Sequence, residues 1–276
     1  MTALLQWLVP LVYLLGATLY FSDFWSGARR WDRVARGVFW AGLLVHAGRL
    51  TMEVFRLDAL PLGGIFPFLT LLSFSVVAVM LFLEMGSSDG STAVFLAWLA
   101  VGLEGCSAVG GPFPQHAVST AAHPAVFGIH VGTAILGYAG AAVAAIHGVL
   151  YLLLYREIKS NRVGRIYRFL PPLDQIEKRT GSSVALSFVA LTVSLVFGMR
   201  VLRVTESTYW LWDAKILTTC LVWVLFGLTL SSRRWLGWSG RRVAFFSLFG
   251  FLLALASLGF VGPFLSGFHT FSGGGQ

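Results

Sequence analysis

The sequence predicts an all-α, polytopic integral membrane protein with about eight transmembrane helices and both termini on the outer side. Three observations lead there. Of the 276 residues 57% are hydrophobic and only 12% charged, with a mean hydropathy of +0.78, so there is too little polar surface to coat a soluble globule. Eight apolar runs recur along the chain, each near the ~20 residues that a helix needs to cross the hydrocarbon. Lysine and arginine are unevenly shared between alternate loops: fifteen fall in one set and five in the other. By the positive-inside rule the crowded set is cytoplasmic.

The first run, 3–22, has no basic leader and no small-residue cleavage site, and reads as a retained helix. Arg29, Arg30, Arg33 and Arg36 precede the second run, 38–56. Pro61 and Pro67 open the third, 62–84, and Ser87-Ser88-Asp89-Gly90-Ser91 makes a tight turn before the fourth and shortest, 92–107. An uncharged outer loop starts at Gly110-Gly111-Pro112-Phe113-Pro114. The fifth run, 125–155, leads into the longest basic segment, which holds Arg156, Lys159, Arg162, Arg165, Arg168, Lys178 and Arg179 and is interrupted by Pro171-Pro172. Runs at 183–202, 213–231 and 242–262 complete the set, with Arg233, Arg234, Arg241 and Arg242 between the last two. Ser272-Gly273-Gly274-Gly275 reads as a frayed end. No internal repeat is visible, so residues 1–276 form a single membrane domain.

Several function classes drop out. The formal charge of +8 needs no nucleic acid to explain it, because the basic residues set topology and face the anionic lipid of the bilayer. Cys106 and Cys220 stand in different runs with no CXXC, which excludes a thiol relay, a zinc knuckle and covalent haem attachment in cis; both are expected to be small buried side chains. There is no phosphate-cradling glycine loop and no nucleophile elbow. Gly132, Gly137 and Gly140 are expected to let a neighbouring helix approach the fifth.

The chemistry rests with the histidines and one aromatic cluster. Tyr209-Trp210-Leu211-Trp212-Asp213-Ala214-Lys215 lies between two apolar runs, where tryptophan rings with one greasy and one wet side mark a membrane surface. His130 falls about one turn inside the outer end of the fifth run, and His269 follows the eighth on the same side. Two imidazoles flanking an aromatic shelf can supply both axial ligands of a haem iron; each alone also reads as a hydrogen-bonded interfacial histidine. His46 sits midway through the second run, with Arg49 and Glu53 at helical spacings beyond it. That stripe can line a route for haem or protons, or specify packing against a neighbouring helix. Arg200 and Arg203 can pair with haem propionates or neutralise Glu206 and Asp213, and Asp213 can cap the seventh helix. His147 can serve as an inner-side ligand, while His116 and His123 read as loop histidines.

Gly128-Ile129-His130-Val131, continuing Ala134-Ile135-Leu136-Gly137-Tyr138-Ala139, resembles the histidine-led fifth helix of the CcsA/ResC-type cytochrome c assembly (haem-handling) family. Leu170-Pro171-Pro172-Leu173-Asp174 and Gly237-Trp238-Ser239-Gly240-Arg241-Arg242 resemble two further landmarks of that family and of its HemX-like relatives. Gly267-Phe268-His269-Thr270-Phe271 resembles the second external histidine site. The likeness covers nearly the whole chain in the same order. It implies a multi-pass protein of a bacterial-type inner (cytoplasmic) membrane, acting on its outer face with non-covalent b-type haem. His130 and His269 would be the axial ligands, Trp210, Trp212 and Asp213 part of the haem platform, and His46 a match to a ligand-type histidine within a span. The resemblance further implies delivery or attachment of haem to a CXXCH apocytochrome c, as part of a haem lyase, beside a ResB/CcsB-like membrane partner.

Departures from the family pattern shift the weight within it. Where the fuller motif has tryptophan and glycine before the cluster, and proline and glutamate after Asp213, this chain has Glu206, Ser207, Ala214 and Ile216. Ser231 stands near the position of a further membrane histidine of the synthases. These changes point to the HemX-like branch, which includes a regulatory or accessory role linked to haem synthesis. A third reading, a transmembrane haem electron carrier, would need His46 and His147 as an inner pair.

Overall fold

The computed structural model describes residues 2–57, 64–85, 90–110, 123–161, 164–204, 214–235 and 237–258. All regular structure among them is helical: α1 (Thr2–Ser26), α2 (Asp32–Leu57), α3 (Ile65–Glu84), α4 (Ala93–Val109), α5 (Pro124–Lys159), α6 (Arg165–Phe169), α7 (Leu173–Val204), α8 (Ala214–Trp235) and α9 (Gly240–Ala256). Four segments are long and apolar enough to cross a membrane, Gln6–Ser26, Ile65–Glu84, Pro124–Lys159 and Leu173–Leu202; Ala93–Val109 and Ile216–Ser232 are apolar but shorter. Charge sets α2 apart, since Arg49, Glu53 and Arg56 interrupt its apolar sequence.

Five of the apolar runs coincide with helices to within four residues; α2 begins six residues before its run, and 259–262 at the end of the eighth run lie outside the described residues. The sixth departs from expectation, because α7 begins at Leu173, ten residues before the run at 183. Its first turns carry Asp174, Glu177, Lys178 and Arg179 and so escape a hydropathy reading, yet Ile176, Thr180 and Ser183 recur at helical spacing and are buried. Pro171 and Pro172 lead into this start, and the Pro172 carbonyl accepts the amides of Gln175 at 3.0 Å and Ile176 at 3.3 Å. The short α6 lies inside the basic segment and has no counterpart among the apolar runs.

Contacts fix the sense of the bundle. Gln6 near the start of α1 donates to the Ala108 carbonyl near the end of α4 (2.5 Å), and Tyr20 near the end of α1 donates to Glu84 at the end of α3 (2.7 Å). Ser73 of α3 donates to the Ala100 carbonyl of α4 at 3.0 Å. In the second half Ser187 of α7 donates to the Gly137 carbonyl of α5 (2.7 Å), and Trp223 of α8 donates to Thr192 of α7 (2.7 Å). Successive long helices therefore run up and down. The connections α1–α2, α5–α6–α7 and α8–α9 gather at one end, called here the basic end because the arginine-rich segments lie there.

A tight turn joins α1 to α2. Gly27 takes a positive φ of 70°, its amide bonds back to the Asp23 carbonyl at 2.8 Å, and the Asp23 carboxylate accepts the amides of Arg30 (3.1 Å) and Trp31 (2.6 Å). Tyr13, Phe39 and Tyr20 stack behind it in the core. The α5–α7 seam depends on small residues: a Cβ at Gly140 would lie 3.1 Å from the Ser183 carbonyl oxygen and the Ser187 nitrogen, and one at Gly137 2.8 Å from Leu191. Gly132 does not share this role, for nothing lies within 4 Å of the corresponding position. The cysteines also differ from expectation, Cys106 being exposed and Cys220 half-buried. In a helix bathed in lipid an apolar side chain can face outward as readily as inward, so apolar character does not determine burial.

Candidate functional site

The first candidate site lies near the end of the bundle opposite the basic one. Pro124 occupies the first turn of α5, and His123 caps it, its Nδ1 accepting the Ala125 amide at 3.3 Å. Because the helix starts there, His130 comes almost two turns in, half-buried against α7. Its Nδ1–H donates to the Ser194 carbonyl at 2.8 Å. A carbonyl oxygen only accepts, so this bond places the ring proton on Nδ1 and the lone pair on Nε2. The Ser194 hydroxyl donates to the His130 carbonyl at 3.0 Å and lies 3.2 Å from Nδ1, so two links join the same pair of residues. Gly198, one turn further along α7, completes the contact: a Cβ there would stand 2.8 Å from His130 Cε1 and 3.0 Å from Nδ1.

Of the other residues expected at this end, His269, Trp210, Trp212, Asp213 and the side chain of Arg203 lie outside the described residues. Arg200 is exposed. It follows Gly198 by two positions, about 200° around the helix, and so turns away from the face that meets α5.

The second candidate site is a polar cluster deep between α1, α2, α3 and α4. His46 is fully buried, with the Tyr13 hydroxyl 3.0 Å from Nδ1 and the Thr70 hydroxyl 3.1 Å from Nε2. Thr70 donates to Glu104 Oε2 at 2.6 Å, and Arg49 donates to Glu104 Oε1 at 2.6 Å. The directions follow from the chemistry. Since Thr70 gives its proton to the carboxylate, it receives one from His46 Nε2–H, and Nδ1 then accepts from Tyr13. Both ring nitrogens of His46 thus hold protein partners, and an iron there would have to displace Tyr13 or Thr70. Glu53 continues the stripe, paired with Arg56 at 2.6 Å. This is the packing alternative of the sequence reading, elaborated into a network of five side chains.

His147 belongs to a third group near the basic end. Its Nδ1–H donates to the Val143 carbonyl (2.9 Å), its Nε2 lies 3.3 Å from the Thr92 hydroxyl, and Arg179 donates to that same hydroxyl. Thr92 precedes Glu104 by twelve residues, about 18 Å along α4. His46 and His147 therefore sit at different depths and do not form the inner pair that an electron carrier would need. Nearby, Glu84 accepts from Tyr20 and lies 3.6 Å from Arg36. Among the described residues no three histidine, cysteine or acidic side chains converge to hold a metal ion.

Sequence reasoning overlooked Glu104, Glu84, Tyr13 and Tyr20. Glu104 had a signal, being an acid inside an apolar run, where an ionisable group is costly unless paired. Tyr13 and Tyr20 had only their spacing of seven, which puts them on one helix face.

Long apolar helices closed around buried, mutually paired polar groups define a multi-pass membrane protein. The family model for the cytochrome c assembly protein matches residues 62–268, three quarters of the sequence, and the chain belongs to that family. The matched segment contains His130, Arg200, Arg203, Trp210, Trp212 and Asp213; it begins after His46 and stops one residue before His269. The chain is 28% identical over 125 residues to the cytochrome c biogenesis protein CcsA of Chlamydomonas reinhardtii, an alignment covering 45% of this chain and 34% of that protein. It is 23% identical over 242 residues to CcsA of Heterosigma akashiwo, covering 74% of each. With Protein HemX of Brevibacillus brevis it shares 27% identity over 275 residues, 96% of this chain and 97% of that one.

Proposed function

We propose that the protein is a membrane haem-handling subunit of cytochrome c biogenesis that holds non-covalent b-type haem at the outer face, between His130 and His269 and against Trp210, Trp212 and Asp213. In this reading α1–α5 and α7–α9 are eight membrane spans of a bacterial-type cytoplasmic membrane, the basic end is cytoplasmic and both termini are outside. The observation that carries it is the state of His130. An imidazole whose Nδ1–H is held by a backbone carbonyl carries its lone pair on Nε2, the tautomer typical of metal-bound histidines. Haem bound there would supply iron for the two imidazoles and vinyl groups for attachment to a CXXCH apocytochrome c, with a ResB/CcsB-like partner contributing a large external domain. Arg200 and Arg203 are the candidates for the propionates, and His46 is the lesser candidate for a second ligand set.

Similarity from end to end with HemX favours one variant of this function, a regulatory or accessory subunit tied to haem supply rather than ligation. The departures at Glu206, Ser207, Ala214 and Ile216 weigh in the same direction.

The test is an absorption spectrum of the protein purified in detergent, as isolated and after dithionite, beside a His130→Ala/His269→Ala variant. A low-spin bis-histidine spectrum that disappears in the variant supports the external site. A wild type that neither carries haem nor takes up added haem removes it and leaves a scaffolding or regulatory subunit.

A further inference from the structure

We infer that a groove between α7, α8 and α9 at the basic end is a binding site for one anionic phospholipid, with Lys178 and Ser182 holding its phosphate and an acyl chain lying against Ala185, Leu230 and Val243. The inference stands apart from the haem reading and needs only that the chain is a membrane protein.

The groove arises from uneven packing. Toward the opposite end α7 and α8 close tightly: Phe188 stacks on Trp223 with ring centroids 5.3 Å apart, and Trp223 donates to Thr192 at 2.7 Å. Gly227 makes room for the Phe188 ring, which a Cβ there would meet at 2.9 Å, and a Cβ at Gly250 of α9 would strike the Phe226 ring. Nearer the basic end the facing residues are small, Gly181, Ser182 and Ala185 on α7 against Thr229 on α8, and a cavity of about 340 Å³ opens between them. That is within the roughly 300–1,000 Å³ range of small-ligand pockets.

Three features of the lining name its occupant. Polarity is graded along it: Lys178, whose side chain is 72% exposed, and the exposed Ser182 stand at one end. Ala185 lies about 10 Å beyond Lys178 along α7, beside half-buried Leu230 and buried Val184 and Val243. Thr229 adds no donor, because its hydroxyl is spent on the Leu225 carbonyl at 2.7 Å. The gradient also coincides with the point where α7 passes from its charged start into the apolar run at 183, the level of a membrane surface. A molecule that suits both halves is an amphiphile lying across that surface, its polar group at the basic end and its chain directed into the hydrocarbon. The third feature is the sign of the charge. Lys178 pairs with Asp174 at 3.7 Å, but both side chains are largely exposed, and a pair of that kind is weak enough to yield the ammonium to a phosphate. Arg241 and Arg242 precede Val243 in the first turn of α9 and add positive charge at the same end. A basic pocket between membrane helices at the bilayer surface suits an anionic headgroup.

The experiment uses the full chain in detergent, stripped of lipid and titrated with phosphatidylglycerol or with phosphatidylcholine of the same chains. Native mass spectrometry reads the affinity of the first lipid bound. Variants are Lys178→Gln, Ala185→Phe and, for a charge at the same end outside the groove, Lys159→Gln. The wild type is expected to favour phosphatidylglycerol by about fivefold, the worth of one lysine at a membrane surface. Lys178→Gln should lose that preference while still binding either lipid, Ala185→Phe should weaken the binding of both, and Lys159→Gln should match the wild type. Equal affinities of the wild type for the two lipids would overturn the inference. Equal losses in Lys178→Gln and Lys159→Gln would do so too, since they signify attraction to the basic end at large. Ala185→Leu, a smaller plug, takes the place of Ala185→Phe if thermal unfolding shows that variant to be misfolded, and wild-type binding by a folded plug variant would remove the groove as the location. The outcome is independent of whether the protein binds haem.

Discussion

Replacing Glu104 with leucine would remove a buried carboxylate and leave its partner Arg49 uncompensated. Glu104 is held by several groups. Its carboxylate is fully buried and receives Arg49 at 2.6 Å and Thr70 at 2.6 Å, with His46 at 3.6 Å. Removing one partner of a buried pair costs about 3–5 kcal/mol, because the other charge remains without compensation. The lost charge-assisted bond from Thr70 is worth about 1.5–3 kcal/mol, and since the two share one acceptor they do not simply add. A total near 5 kcal/mol corresponds to a fall in Tm of roughly 10–20 °C for a chain of this size. Arg49→Met/Glu104→Leu removes both charges, and an apolar replacement of a whole buried pair is often close to neutral. The double variant should therefore melt well above the Glu104→Leu single variant. The assay is thermal unfolding in detergent of the two singles and the double, treated as a double-mutant cycle. A Glu104→Leu protein that melts with the wild type, or below which the double variant falls further, would refute the reasoning.

Three other outcomes are expected. Gly140→Leu should destabilise by about 1–3 kcal/mol, because its Cβ meets backbone atoms of Ser183 and Ser187 that cannot rotate away, whereas Gly132→Ala, with open space around it, should be neutral or gain up to about 1 kcal/mol; thermal shift assays separate them. Asp23→Ala should cost about 1–2 kcal/mol and quicken amide exchange at Arg30 and Trp31, whose N–H groups it binds. A reporter active only outside the cytoplasm should be active when fused within residues 111–122 and inactive when fused after Ser160, and the reverse pattern would invert the proposed orientation.

Much of the helix layout was legible because a membrane span is a composition signal extended over some twenty residues. That signal failed at the start of α7, where the helix leaves the apolar region and is held by Ile176 and Thr180 in a charged context. It said nothing of which side of a span faces a neighbour: Cys106 turned out exposed although its run is as apolar as the core. His130 was visible as a polar residue where polarity is expensive, and so was His46. The partners that give each its state were not. Ser194 and Gly198 meet His130 across 64 or more residues, and Glu104 meets Arg49 across 55, pairings that only the packing of helices creates.

The hydrogen bonds around His46 join α1, α2, α3 and α4. That has a consequence for how the protein enters its membrane. Left alone in lipid, α2 would expose Arg49 and Glu53, and a charge near the centre of a span opposes insertion by about 2.5–3.5 kcal/mol. Its neutralising partner for Arg49 is made 55 residues later. With α2 as a span in the proposed reading, its stable residence in the bilayer would depend on α4, so the first four helices would leave the insertion machinery as a group, closed around the Arg49–Glu104 pair.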